Sequence, residues 1–123
     1  VIGKMRYQVR LFLNGRSKEF TAMEDSGNRL VEPVTGKPVS IIAAADAKEF
    51  GSEPAGVLMI PYRAVGTKSG MLPGILFDRM EITDGENRSV RIDRPVVAVS
   101  KEPLFFRKDF TMILPESLFT DKL

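Results

Sequence analysis

The chain is expected to fold as a mostly β protein, a closed antiparallel β barrel carrying one or two short helices. Apolar residues come in short alternating or continuous runs bounded by Gly, Pro, Asn and Asp, the punctuation of strands rather than helices. Asn14-Gly15 is a strong two-residue hairpin signal. Only one stretch, the Ala-rich residues 43–50 closed by Gly51, reads as a helix of any length. With 123 residues, 43% of them hydrophobic, the chain is expected to be one domain, residues 1–123. It can bury a real core but is too small for a two-lobed enzyme with an internal cleft. That size favours a site built between two copies.

The elements follow in order. Tyr7, Val9, Leu11 and Leu13 share one parity, and Phe12 is the single apolar residue on the other. After Asn14-Gly15 the hairpin returns through residues 18–24 and delivers Asp25 into the next turn. Pro33 and Pro38 bracket a loop closed by Thr35-Gly36, and residues 39–42 read as a buried strand. Residues 57–65 and 71–82 read as two strands joined by Gly66-Thr67-Lys68-Ser69-Gly70. A second hairpin turns at Asp84-Gly85-Glu86-Asn87, and residues 96–99 give a further strand. Phe105, Phe106, Phe110, Met112, Ile113 and Leu114 form an apolar stretch, with the Phe105 to Phe110 part expected in the core or at a dimer interface. Pro115 suits the first turn of a short helix over residues 116–119.

Composition narrows the chemistry. The sequence contains no histidine and no cysteine, so Ser/His/Asp and Cys/His nucleophiles and thiolate or imidazole zinc sites are excluded. Any catalysis falls to carboxylates, and neither a metal nor a cofactor is expected. The 18 basic and 16 acidic residues leave a net charge of +2 spread along the chain, which calls for no nucleic-acid partner. No apolar run approaches the roughly 20 residues of a membrane span. Because the sequence begins at Val1 rather than Met, it is expected to be a piece of something longer.

Asp25-Ser26-Gly27-Asn28 is therefore the most informative stretch. An Asp-Ser/Thr-Gly triplet at the end of a strand is how a half-size aspartic protease presents its carboxylate. The same four residue types also make ordinary surface turns. Other motifs fall away on inspection. Lys68-Ser69-Gly70 has no Ser-x-x-Lys to accompany it, Gly66 to Gly70 lacks phosphate-loop spacing, and Asp84, Glu86 and Asp93 do not form a calcium loop. Asp78 with Arg79, and Arg107 with Asp109, are candidate ion pairs.

The order of elements is similar to that of retropepsins. Asp25-Ser26-Gly27-Asn28-Arg29-Leu30, Glu32-Pro33, Thr35-Gly36-Lys37-Pro38-Val39, Ile60-Pro61-Tyr62-Arg63-Ala64-Val65-Gly66 and Gly74-Ile75-Leu76-Phe77-Asp78 together resemble the protease domain of the SpoIIGA family of sporulation sigma-E factor processing peptidases. The likeness runs from about Tyr7 to Phe119. It implies a retropepsin-like barrel and an aspartic endopeptidase that removes the propeptide of the inactive sigma-E precursor. It further implies a membrane anchor in an absent N-terminal region, a place on the mother-cell cytoplasmic face of that membrane, and activation by a signalling protein from the forespore. Asp25 matches the catalytic aspartate, with Ser26, Gly27 and Asn28 supporting its loop. Tyr62, Arg63, Gly66, Lys68 and Gly70 form a candidate flap over bound peptide, against the alternative of a plain long hairpin. Two positions depart from the retropepsin pattern: Glu24 replaces an apolar residue, and Leu114-Pro115 stands where a glycine follows a hydrophobic pair.

Metal-free peptide hydrolysis needs one group to deprotonate water and another to protonate the leaving amide. Two carboxyls about 3 Å apart sharing one proton do both. One chain supplies one such aspartate, so a homodimer with Asp25 at its axis is expected. Ser26 can hydrogen-bond across that axis, and Gly27, lacking a Cβ, lets the backbone lie close to partner and substrate. Two other readings stay open at this point. One is a non-catalytic β-barrel module that docks the sigma precursor or an activating partner. The other is an unrelated β interaction domain in which Asp25-Ser26-Gly27 is a turn and nothing more.

Overall fold

A computed structural model describes residues 6–51, 57–63, 69–102 and 109–120. Nine strands form one sheet: β1 (Arg6–Leu13), β2 (Arg16–Asp25), β3 (Val39–Ala43), β4 (Val57–Arg63), β5 (Ser69–Leu76), β6 (Arg79–Thr83), β7 (Ser89–Asp93), β8 (Val96–Ser100) and β9 (Met112–Pro115). Two short helices, α1 (Ala44–Ala47) and α2 (Ser117–Thr120), follow β3 and β9, and α1 tightens into a 3-10 turn over Lys48–Phe50. Gly51, at φ 127°, ends that turn as expected, because only glycine enters this region without strain.

Alternation in β1 translates directly into packing. Tyr7, Val9, Leu11 and Leu13 are all buried, and they meet Phe20, Ala22, Phe77, Met80, Met112 and Leu114 in the main core. Phe12, on the opposite face, is covered by the Arg79 guanidinium 3.8 Å from its ring centre. A smaller cluster joins Val39 of β3, Ile60 of β4, and Val96 and Ala98 of β8.

The barrel is not closed. Strand order is β4-β5-β8-β3-β9-β2-β1-β6-β7, so among the described residues β4 and β7 are the edges and do not meet. Alternation predicts which face of a strand is wet, but closure depends on whether the first and last strands meet, and no residue pattern encodes that. The edges are blunted in ordinary ways: Pro61 sits in β4, and β7 alternates Ser89, Arg91 and Asp93 outward.

Two ladders are parallel, β2 with β9 and β3 with β8, in an otherwise antiparallel sheet. The expected single strand over residues 71–82 is instead two. Phe77 N–H still donates to Pro95, but Asp78 N–H turns to the Phe12 carbonyl, so the chain leaves β8 and joins β1 at this point. Asp78 pairs with Arg94 at 3.4 Å and Arg79 with Glu81 at 3.1 Å, rather than with each other. Arg107 and most of the Phe105 to Phe110 stretch lie outside the described residues.

Candidate active site

Insertion of β9 between β2 and β3 builds the site. Asp25, the last residue of β2, stands opposite Pro115, the last residue of β9, in the parallel ladder. Pro115, where the retropepsin pattern carries a glycine, thus occupies a buried strand end beside the Asp25 loop. The chain then turns sharply. Asn28 N–H donates to the Asp25 carbonyl at 3.0 Å, and Gly27 N–H donates to Asp25 Oδ1 at 2.9 Å. This is an Asx turn, in which the aspartate organises the loop that carries it.

The bond from Gly27 fixes the carboxyl rotamer through one oxygen. Among the described residues Oδ2 has no protein partner, so it is free to meet water or a second carboxyl. A Cβ on Gly27 would sit 3.2 Å from Asp25 Oδ1, so the carboxyl would have to give by a few tenths of an ångström. Asp25 itself is half-buried, and Ser26 and Gly27 are exposed.

Asn28 is the anchor of the loop. Its side chain is buried, donates from Nδ2 to the Val39 carbonyl at 2.9 Å and accepts the Leu30 N–H at Oδ1 at 3.1 Å. One amide thereby ties the Asp25 turn to the first residue of β3. Downstream, Glu32 is buried and holds the next loop from within. Its carboxylate accepts from Val34 N–H at 3.0 Å, Thr35 N–H at 2.8 Å and Thr35 Oγ1 at 2.8 Å. These bonds, the one from Val34 first, hold its pKa below the ordinary carboxylate value.

Glu24 does not compete with Asp25. Neighbouring strand residues point to opposite faces, and Glu24 shares the inward face of Phe20 and Ala22. There it accepts the Tyr7 hydroxyl at 3.1 Å, while the Tyr7 ring stacks on Phe119 at 4.8 Å. Burial first, then the bond to Glu24, pushes the Tyr7 hydroxyl up to about 12 from 10.0. The protonated phenol is the form the fold favours, so this stabilisation is complete below about pH 10 and is lost as pH rises from there toward 12. Alkaline unfolding of Tyr7→Phe is therefore expected to be less steep over that window than wild type. Spectrophotometric titration should also lose its highest tyrosinate step. Glu24→Gln, which keeps an acceptor for Tyr7, should leave the Asp25 turn intact.

Of the candidate flap residues, Tyr62, Arg63 and Gly70 belong to the β4–β5 hairpin, while Gly66 and Lys68 lie outside the described residues. Gly70 is a strand residue and not part of the connecting loop. It pairs with Tyr62, whose ring covers it so closely that a Cβ there would lie 2.6 Å from the hydroxyl. Any larger residue there would have to displace the Tyr62 ring.

Beside the Asp25 loop lies a depression of about 310 Å³ lined by Ser26, Asn28, Arg29, Val31, Glu116 and Ser117. A separate cavity of about 180 Å³, between Met80, Ile92 and Leu118, includes no residue of the loop. Among the described residues no three acidic side chains gather as a metal site, and no helix is long and apolar enough to cross a membrane. Arg29 and Glu116 were not anticipated as site residues. Their separation of more than eighty positions hides a proximity that only the β2–β9 ladder creates.

The sequence profile of the family described as Sporulation factor SpoIIGA matches residues 1–118. The chain belongs to the SpoIIGA family. Among its relatives, the sporulation sigma-E factor-processing peptidase of Priestia megaterium is 25% identical over 132 residues, covering 89% of this chain and 43% of that protein. A putative sporulation sigma factor-processing peptidase of Bacillus thuringiensis is 23% identical, covering 94% of this chain and 86% of that protein. A probable sporulation sigma-E factor-processing peptidase of Clostridium acetobutylicum is 24% identical, covering 88% of this chain and 40% of that protein. The chain thus spans less than half of two of these SpoIIGA relatives and most of the third. No solved structure is significantly similar to it.

Proposed function

We propose that this chain is the catalytic domain of a sporulation sigma-factor processing protease, an aspartic endopeptidase that removes the propeptide of an inactive sigma-E precursor. The observation that carries this reading is Asp25 at the end of β2, its Oδ1 held by Gly27 N–H and its Oδ2 unengaged by the described residues, in a member of this family. In the active dimer the two Asp25 carboxyls face each other across a two-fold axis and share one proton. The ionised carboxyl takes a proton from water as that water attacks the scissile carbonyl. The protonated carboxyl then gives its proton to the amide nitrogen as the tetrahedral intermediate collapses. Ser26 supports the pair from the partner side, and the β4–β5 hairpin covers the peptide.

In the full-length protein an N-terminal membrane region would hold two copies together on the cytoplasmic face, and an activating signalling protein would act on that assembly. Tethering raises the effective concentration of the second copy. Without it, the chain is expected to be weakly active, and fusion to a strong dimerising module should raise cleavage of the sigma precursor in the absence of the activator. If forced dimers, verified by sedimentation, cut no better than the untethered chain, association does not limit activity, and the activator must then act on the Asp25 loop or the hairpin.

A further inference from the structure

We infer that Arg29 and Glu116 form reciprocal ion pairs between two copies of this chain, and that the depression beside Asp25 is where the second copy seats. The inference rests on the two-copy reading of the Asp25 site and specifies the surface that assembles it. Three observations carry it.

The first is charge without a partner. Arg10, Arg79, Arg88, Arg91 and Arg94 each have a carboxylate within 4.0 Å. Among the described residues Arg29 has none, which is also true of Arg6 and Arg16, but those two meet the Phe110 ring and the Glu49 carbonyl instead. Glu116 likewise has no cation within that distance, and it and Arg29 are both exposed and line the same depression. Opposite charges that share a hollow without touching can each pair with a complementary group that enters it.

The second observation is Val31, which is 47% exposed in the same lining. A charged pair around an exposed aliphatic side chain is the makeup of a small interface with an apolar centre and a polar edge.

The third is position. Ser26, the residue after Asp25, is part of the lining. Two carboxyls about 3 Å apart put the two-fold axis within a few ångströms of Asp25. Side chains near such an axis are brought near their counterparts in the other copy. A two-fold interface is self-complementary: where Arg29 of one copy meets Glu116 of the other, the reverse contact forms as well. A patch carrying one cation and one anion satisfies that requirement, whereas a patch of one sign would repel its own copy.

Charge exchange tests this in the full-length protein co-expressed with its sigma precursor. Both residues are exposed, so the substitutions are expected to leave the fold intact, which circular dichroism of the purified domains checks. Arg29→Glu alone and Glu116→Arg alone should each lower cleavage by at least about tenfold, because each homodimer then carries two like-charge contacts. Co-expressing the two single variants should restore cleavage, since each mixed dimer regains two opposite-charge contacts. The double variant Arg29→Glu/Glu116→Arg should also cut. Restoration by the double variant without restoration by mixing would overturn the inference, because the pair would then lie within one chain. Normal cleavage by both single variants, or no recovery in either combination, would overturn it too. These outcomes are separate from the fate of the dyad, which Asp25→Asn reports alone.

Discussion

Asp25→Asn is expected to reduce cleavage of the sigma precursor by about 10² to 10⁴ fold, toward background, with thermal stability nearly unchanged. The separation of the two effects follows from the site. Asn keeps an Oδ1 to accept the Gly27 N–H, so the turn that Asp25 organises survives the change. What disappears is the ability to exchange a proton with water and the leaving amide. Glu24 provides the internal control. It lies one residue away, but its carboxylate is turned to the Tyr7 hydroxyl on the opposite face of β2, and Glu24→Gln should cut nearly as well as wild type. If a folded Asp25→Asn protein keeps substantial activity, the aspartic assignment fails.

Asn28→Leu should be the most damaging change in the loop outside Asp25, and it should act through both stability and geometry. The substitution preserves approximate size while removing both hydrogen bonds. It strands the Val39 carbonyl and the Leu30 N–H in a site that is only 9% exposed. An unsatisfied buried polar group costs about 1–3 kcal/mol, so the two together lower stability by about 2–6 kcal/mol. Asn28→Asp separates the two bonds. It retains the acceptor for Leu30 but sets an anion against the Val39 carbonyl, and should be nearly as harmful. Cleavage measured at a temperature where Asn28→Leu remains folded should still be depressed, because a dyad tolerates only about half an ångström of misplacement. Full activity per folded molecule would show that the clamp stabilises the loop without positioning Asp25.

Much of this was readable from the residues, and the part that was not has a physical cause. The burial of Tyr7, Val9, Leu11 and Leu13, the turn at Asn14-Gly15 and the end of the helical segment at Gly51 are local consequences of alternation and backbone freedom. Asp25 in a turn after a strand was visible for the same reason. The parallel insertion of β9 between β2 and β3 was not, since nothing near residue 25 signals which distant strand will lie beside it. The break at Phe77-Asp78 was hidden because the charges that follow it, Arg79 and Glu81, are also what the wet face of a continuous strand carries. The meaning of Glu24 required knowing that Tyr7 pairs with Ala22 in the ladder, which places the hydroxyl within reach two residues further on.

The central claim is that one catalytic unit contains Asp25 from two copies, and co-expression of wild type with increasing amounts of Asp25→Asn tests it most directly. If both carboxyls are needed, mixed dimers are inert, and cleavage per total protein falls as the square of the wild-type fraction. If instead it falls in simple proportion to that fraction, each chain carries its own complete site, and the two-copy account of Asp25 is wrong.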